Sequence, residues 1–242
     1  MWCVGGPSLV KTISGARWFM TLINDHTRVC WTYLLKENLR KPQFFKTFTK
    51  WSKFQTQIHI LRTENGKEYF SQILGRYLEK NGIVYQTSCI DTPQQNRIAK
   101  RKNRHLLEVA REMMFQMRVP KHFWGEAMLT ASYLIIRMST CVLKFDIPIN
   151  TLKNVYPISH QFFTLLSLKV FRNLAFIHIH NHNTSKSDRR VIKCVFLGYS
   201  PTQKGYKCFH PPSKFFCLYG CIILRRPALL CRKFVWNREW KD

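Results

Sequence analysis

Hydrophobic positions in the first 139 residues alternate in some stretches and recur at helical spacing in others, which predicts a mixture of strands and helices. Residues 18–23 and 29–35 are rich in aromatic and β-branched side chains and flank a polar turn at 24–26. This pattern is typical of a β-hairpin. The other elements predicted before residue 90 are strands over 58–62 and 83–87 and helices over 40–56 and 68–80.

Two longer helices are predicted next, over 97–117 and from Pro120 to about Met138. The first helix has an apolar stripe and, on another face, arginines at spacings of three and four. The stripe consists of Ile98, Leu106, Val109, Met113 and Met117. The core side chains predicted for the second helix are Phe123, Trp124, Ala127, Ala131, Leu134 and Ile135.

The last hundred residues divide into three segments. Residues 140–168 lack periodicity and contain Pro148 and Pro157, so they are predicted to be a linker. Residues 169–224 are β-rich, and residues 225–242 form a tail without an assignment. The strands predicted within the β-rich segment lie at 169–171, 175–179 and 194–199.

The chain carries a large excess of positive charge, with 39 Lys and Arg against 13 Asp and Glu in 242 residues. A formal net charge of +26 favours polyanionic partners, nucleic acid first. Random sequence drift that removed acidic residues would give the same excess of positive charge. Nucleic-acid binding and sequence drift therefore both stay open as explanations. No apolar run predicts a membrane span and no signal peptide opens the chain, which favours a nuclear or cytoplasmic protein over a secreted one.

Metal-binding patterns are weak. The nine cysteines are scattered without a C-x-x-C pair, and their odd number favours a reduced, intracellular state. Three residues separate Cys217 from Cys221, a spacing that only weakly indicates a metal site, and His178, His180 and His182 alternate along a predicted strand end. A surface position is the favoured interpretation of these histidines, because no fourth ligand is evident.

Three segments carry more specific patterns: LRTENGKEY at 61–69, TPQQNRIAKRKNR at 92–104 and KCVFLGYS at 193–200. They resemble, in order and spacing, segments of the integrase region of Copia-type retrotransposon Pol polyproteins. The resemblance implies an α/β fold, with a ribonuclease H-like integrase core over residues 1–139 and a small SH3-like β-domain over 169–224. It also implies metal-dependent polynucleotidyl transfer with Mg²⁺ or Mn²⁺ as the cofactor and DNA as a partner. Assembly into a homo-oligomer is compatible with the resemblance.

The three acidic ligand positions of that family fall on Cys3, Glu64 and Lys100. Residues 4–7 match the end of a D-V-W-G-P-like motif, which places Cys3 at the first Asp, and 35 residues separate Glu64 from Lys100, as in the family's D-35-E spacing. Glu64 keeps a carboxylate on a longer side chain, whereas a lysine ammonium cannot ligate a metal. Glu64 is then the only remaining metal ligand, which is insufficient for two-metal chemistry.

Other departures from the family pattern are expected to cost stability. Lys67, Arg97 and Arg172 replace glycines, which usually serve positions with unusual backbone angles or close approach. The first strand of the core is expected to be truncated. Without it, the hairpin and the strand before Glu64 would each lose a partner, and the sheet would be weakened or rearranged.

Basic side chains cluster at the start of the helix over 97–117, which in the family lies against DNA ends. The predicted nucleic-acid-binding residues are Arg97, Lys100, Arg101, Lys102 and Arg104. A solvated basic face is the plain alternative. The leading interpretation is a catalytically inactive integrase-type domain with residual nucleic-acid binding. The alternatives are a retained basic nucleic-acid-binding protein without an enzymatic role, and an active integrase that uses substitute acids.

Overall fold

The computed structural model divides the chain into two compact units, residues 1–165 and 166–242, and each is described by itself. The predicted helix over 40–56, Glu64, Lys67 and the tail over 225–242 lie outside the described residues. The structure describes residues 2–36, 58–63, 72–87, 97–156, 166–178, 191–200, 204–213, 215–219 and 223–224.

The predicted hairpin is confirmed and supplies two strands of a three-stranded antiparallel sheet in the described residues. Strands β1 (Trp2–Gly5), β2 (Trp18–Ile23) and β3 (Cys30–Leu35) are hydrogen-bonded in that order. Asn24 begins the turn between β2 and β3, because its side-chain oxygen accepts the backbone N–H groups of His26 and Thr27 at 3.0 and 3.1 Å. A short polar side chain that bonds its own backbone in this way favours a turn over a continued strand.

The expectation that the hairpin would lack its neighbouring strand was wrong. All four residues of β1 pair with β2, from Trp2 opposite Leu22 to Gly5 opposite Phe19, so four residues are enough to close that edge. Strands β4 (Ile60–Thr63) and β5 (Val84–Thr87) form a separate parallel pair, and β1 contacts β4. Within the described residues the sheet is therefore divided into a three-stranded and a two-stranded part.

Helix α1 (Gln72–Lys80) connects β4 to β5 and packs Leu74 and Leu78 into the core. It ends at Asn81 and Gly82, as predicted, and Gly82 adopts a positive φ of 62° that suits a helix C-terminus. The core around it contains side chains from the strands and the helix: Met20, Leu22, Leu35, Leu61, Leu74, Leu78 and Ile83.

Helix α2 (Arg97–Gln116) has the predicted bounds to within one residue, but the predicted stripe is not its buried face. Of the five residues in the predicted stripe only Leu106 is buried, and the other four are half-buried. Small side chains allow a helix to approach its neighbours closely, whereas a hydrophobicity pattern gives weight to large ones. The buried residues of α2 are Ala99, Asn103, Leu106 and Ala110.

Helix α3 (Trp124–Ile135) follows a short 3-10 turn at Lys121–Phe123 and packs against β3 and α2. Gly125 makes the contact with β3 possible, because a Cβ atom there would lie 2.7 Å from both Leu34 Cδ1 and Thr12 Cγ2. The predicted core residues are buried at four positions, and Trp124 and Leu134 are half-buried. The four are Phe123, Ala127, Ala131 and Ile135.

The predicted linker over 140–168 was wrong for residues 141–155. A 3-10 turn at Cys141–Leu143 is followed by helix α4 (Pro148–Val155), which buries Ile149 and Leu152. Pro148 stands at the start of α4, where its missing N–H costs nothing. The helix was not predicted because three buried residues in eight, one of them the initial Pro148, make a weak periodic signal.

The described residues of the second unit form a five-stranded antiparallel sheet in the order β10-β6-β7-β8-β9. Its core includes Ile177, Phe196 and Cys208, all with no exposed surface, and six consecutive residues of the strand over 191–199 are buried. The strand predicted over 175–179 is confirmed for 175–178, with Ile179 outside the described residues, and the strand over 194–199 is confirmed within β7. The five strands are β6 (Leu174–His178), β7 (Val191–Tyr199), β8 (Tyr206–His210), β9 (Phe215–Tyr219) and β10 (Ile223–Leu224).

The strand predicted at 169–171 was wrong, because the chain turns there. Arg172 has a φ of 63°, and its N–H donates to the carbonyl of Phe196 while the Phe196 N–H donates to the carbonyl of Asn173. These two bonds hold the turn against β7. A side chain at this φ is strained, which accords with the family's glycine at this position.

Replacing Arg172 by glycine is expected to stabilise the chain by about 1 kcal/mol, because glycine adopts a positive φ without a Cβ clash. Asn173→Gly is the matched control, since Asn173 has no positive φ. It should lower stability through the added freedom of the unfolded chain. Calorimetric unfolding of both variants measures the difference, and a loss of stability on Arg172→Gly would contradict the strain argument.

Candidate nucleic-acid interface

The elements that carry the three predicted acid positions come together in the first unit. Cys3 lies in β1 opposite Thr21, and Lys100 lies in the first turn of α2. Glu64 follows Thr63, the last residue of β4, and is itself outside the described residues. Because β1 contacts both β4 and α2, the backbone brings these elements to one side of the unit.

A buried hydrogen bond fixes α2 on this sheet. The hydroxyl of Thr21 donates to the side-chain oxygen of Asn103, and both residues are buried. Asn103 was not predicted as a site or core residue. The available signal was its position at helical spacing between Ala99 and Leu106, on the face where a polar side chain needs a partner.

An open groove of about 450 Å³ lies where α2 meets β2, with Asn103 in its wall. Its other lining residues combine apolar and charged side chains. They are Phe19, Lys100, Arg104, Leu107, Glu108 and Arg111.

Four of the five predicted nucleic-acid-binding residues are exposed on α2: Arg97, Lys100, Arg101 and Arg104. Successive residues of an α-helix are rotated by about 100°, so spacings of three and four place these cations on one broad face. The nearest acid along this face is Glu108, one turn beyond Arg104. Lys100 thus contributes to a continuous cationic surface at the helix start.

Lys102 does not share that surface. It is rotated by about 200° from Lys100 and is half-buried. Burial lowers the pKa of Lys102, and the charge of nearby Arg28 also lowers it, while the Cys30 side chain raises it when ionised. Burial raises the pKa of Cys30, whose Sγ lies 3.5 Å from Ser132 Oγ. The structure therefore separates Lys102 from the other four predicted residues.

Lys102→Met is expected to raise the unfolding midpoint at neutral pH by about 1–3 °C, because a charged group is removed from a partly buried position. The pKa of Lys102 is lower in the folded than in the unfolded chain, so wild-type stability rises with pH as pH passes through the folded pKa towards 10.5. The gain from the substitution should shrink over the same interval. Arg101→Met, an exposed change of equal charge, should show no such gain, and a pH-independent difference would contradict this account.

The residues at the predicted catalytic positions do not fit a pair of divalent ions. Lys100 offers three N–H donors and no lone pair while protonated, and a cation at this place repels Mg²⁺. Among the described residues, no group of three or more His, Cys, Asp or Glu side chains is placed to hold a metal. Two other acidic residues of this part of the chain are Asp25 and Glu68. Asp25 forms an ion pair of 2.7 Å with Arg28 at the hairpin turn, and Glu68 lies outside the described residues.

In the part of the chain that the structure describes, every helix is too short or too polar to cross a lipid bilayer.

Comparisons with known proteins relate the chain to retrotransposon Pol polyproteins. A family model described as the retroviral polymerase SH3-like domain matches residues 173–217, within the segment for which that resemblance was predicted. The retrovirus-related Pol polyprotein from transposon TNT 1-94 of Nicotiana tabacum is 35% identical over 87% of the chain. The corresponding polyprotein from transposon RE2 of Arabidopsis thaliana is 32% identical over 85%, and the truncated Ty1-A Gag-Pol polyprotein of Saccharomyces cerevisiae is 29% identical over 50%.

The chain spans only 16% and 14% of the length of the two plant polyproteins. The similarity to them extends over both compact units, and the family match falls within the second. The chain therefore belongs to the Ty1/Copia-type retrotransposon Pol polyproteins, of which it corresponds to one region.

Proposed function

We propose that this region is an integrase-type core followed by an SH3-like domain, that it has lost metal-dependent strand transfer, and that it binds DNA through α2. The observation that carries the proposal is the position of Lys100. It occupies a family acid position and is exposed beside Arg97, Arg101 and Arg104. The substitution thus removes a metal ligand and adds a phosphate-binding cation at the same place. For a DNA-binding region of this type we propose a location in the nucleus or the cytoplasm.

The strand arrangement supports an integrase-type core. In a ribonuclease H-like sheet the first strand lies between the hairpin and the strand that leads to the second acid. Here β1 pairs with β2 and contacts β4, the strand that ends one residue before Glu64. The parallel pairing of β4 with β5 through α1 is also what such a core requires.

The ligand set argues against retained catalysis. Two-metal phosphoryl transfer needs carboxylates that hold two ions about 4 Å apart, one at the attacking oxygen and one at the leaving oxygen. A thiol, a lengthened carboxylate and an ammonium cannot build that arrangement with Mg²⁺, which prefers hard oxygen ligands in near-octahedral geometry. This chain's own residues can still bind and orient DNA, because phosphate contacts need only Lys, Arg and N–H donors.

Lys100→Glu tests the proposed interface. It should weaken binding of a short DNA duplex at low salt about tenfold, because it replaces a phosphate contact with a repulsive charge. Lys80→Glu is the matched control: Lys80 is exposed on α1 and the change in net charge is identical. Fluorescence anisotropy of a labelled duplex measures both affinities. Equal losses in the two variants would show that binding depends on total charge and not on α2.

A further inference from the structure

The groove beside α2 differs from a plain phosphate-binding surface in two respects. Its lining includes the half-buried Leu107 and the almost fully buried Phe19, which is 4% exposed, and it contains the carboxylate of Glu108. Three cations also line it, at Lys100, Arg104 and Arg111. A surface that contacted only phosphates would gain nothing from the apolar walls and would be weakened by the carboxylate.

The apolar walls and the cations together suit an unpaired nucleotide. The flat faces of a base are apolar and pack against hydrophobic side chains, while the flanking phosphates lie near cations. A volume of about 450 Å³ is within the range of small-molecule pockets. In a duplex the base faces are stacked on one another and are not available to such a groove.

Glu108 lies between the two arginines along α2, four residues after Arg104 and three before Arg111. At these spacings all three side chains lie on the same side of the helix. Glu108 is exposed, and no ion pair joins it to either arginine among the described residues. Its carboxylate is therefore available to a ligand.

An ionised carboxylate accepts hydrogen bonds and cannot donate them. Among the bases it favours those that present an amino group, and the N4 amino group of cytosine is a recognised partner of Glu and Asp. Thymine, which has a carbonyl oxygen at the corresponding place, would face the carboxylate with a second acceptor. Glu108 thus adds selection among bases to a groove that would otherwise bind any nucleotide.

We propose that this groove binds one unpaired, amino-bearing base of single-stranded DNA, cytosine foremost. Glu108 accepts its amino group, the half-buried Leu107 packs against the ring, and Lys100, Arg104 and Arg111 contact the flanking phosphates. The proposal rests on the DNA-binding function above and specifies its ligand.

The test compares short oligo(dC) and oligo(dT) strands by fluorescence anisotropy with the full chain, at mildly alkaline pH where cytosine is uncharged. The wild-type chain should prefer oligo(dC) about fivefold. Glu108→Leu should abolish the preference and raise the affinity for oligo(dT), because an acceptor and a negative charge are both removed. Glu112→Leu is the matched control, since Glu112 is exposed on the same helix and does not line the groove. It should keep the preference.

Two results would overturn the proposal: equal affinity of the wild-type chain for the two strands, or a preference for oligo(dC) that survives Glu108→Leu. In either case, salt-sensitive binding of both strands would leave the DNA-binding function standing. Absence of salt-sensitive binding to any DNA would overturn that function and the base preference with it.

Discussion

Raising the salt concentration from about 50 to about 200 mM is expected to weaken binding of duplex DNA about a hundredfold. Each phosphate contact made by a cation releases a condensed counterion, and the logarithm of affinity falls by about 0.9 per contact for each tenfold rise in salt. The first two turns of α2 offer four such cations on the exposed face: Arg97, Lys100, Arg101 and Arg104. We therefore expect a slope between about −3 and −4.

A salt titration of the wild-type chain measures this slope. Lys100→Gln should reduce its magnitude by about 1, because one contact is removed without a new charge. Lys80→Gln should leave the slope unchanged if α2 is the interface. A slope near zero for the wild-type chain would contradict electrostatic binding altogether, while a much steeper slope would show that cations beyond α2 also contact DNA.

The second large effect concerns catalysis: the chain is expected to give no strand transfer above background with either Mg²⁺ or Mn²⁺. The triple variant Cys3→Asp, Glu64→Asp, Lys100→Glu restores three carboxylates at the family's positions. Metal ions contribute several kcal/mol to such reactions, so the variant should exceed the unchanged chain by more than about 10²-fold. Transfer of a labelled DNA end into a plasmid measures this difference.

The single variant Lys100→Glu is the control for this experiment. It should stay inactive, because Cys3 still lacks a carboxylate and Glu64 still places its oxygens about one bond too far. Activity of the unchanged chain would overturn the ligand argument, and loss of that activity on Glu64→Gln would then identify a site built with substitute acids. A silent triple variant would contradict the proposed integrase-type geometry of β1, β4 and α2.

Local sequence patterns were sufficient to predict an element wherever residues close together in the chain decide its structure. The hairpin at 18–35 depends on two β-rich runs and on Asn24, whose side chain closes the turn by itself. The C-terminus of α1 depends on Asn81 and Gly82, and the length of α2 depends on an uninterrupted run of helix-favouring residues. The motifs also identified the family, because their residues and spacings are specific.

Contacts between distant residues decided the rest. The buried face of α2 follows from small residues that let β2 and α3 approach, and Asn103 is acceptable there because Thr21, 82 residues earlier, supplies its hydrogen bond. The turn at Arg172 depends on β7, whose Phe196 bonds to both sides of it. No local pattern contains these partners.

The candidate site shows the same division. The sequence by itself predicted that Lys100 falls at an acid position of the family pattern, and it showed that basic residues cluster at the start of α2. Only the tertiary structure decided which of these cations share a surface. Lys102 lies on another side of α2, near Cys30, and is half-buried there. The tertiary structure also decided that Phe19 of β2 meets Leu107 and Glu108 of α2 in one groove. The physical reason is that charge and motif belong to the residue, whereas burial and adjacency belong to the packing of elements far apart in the chain.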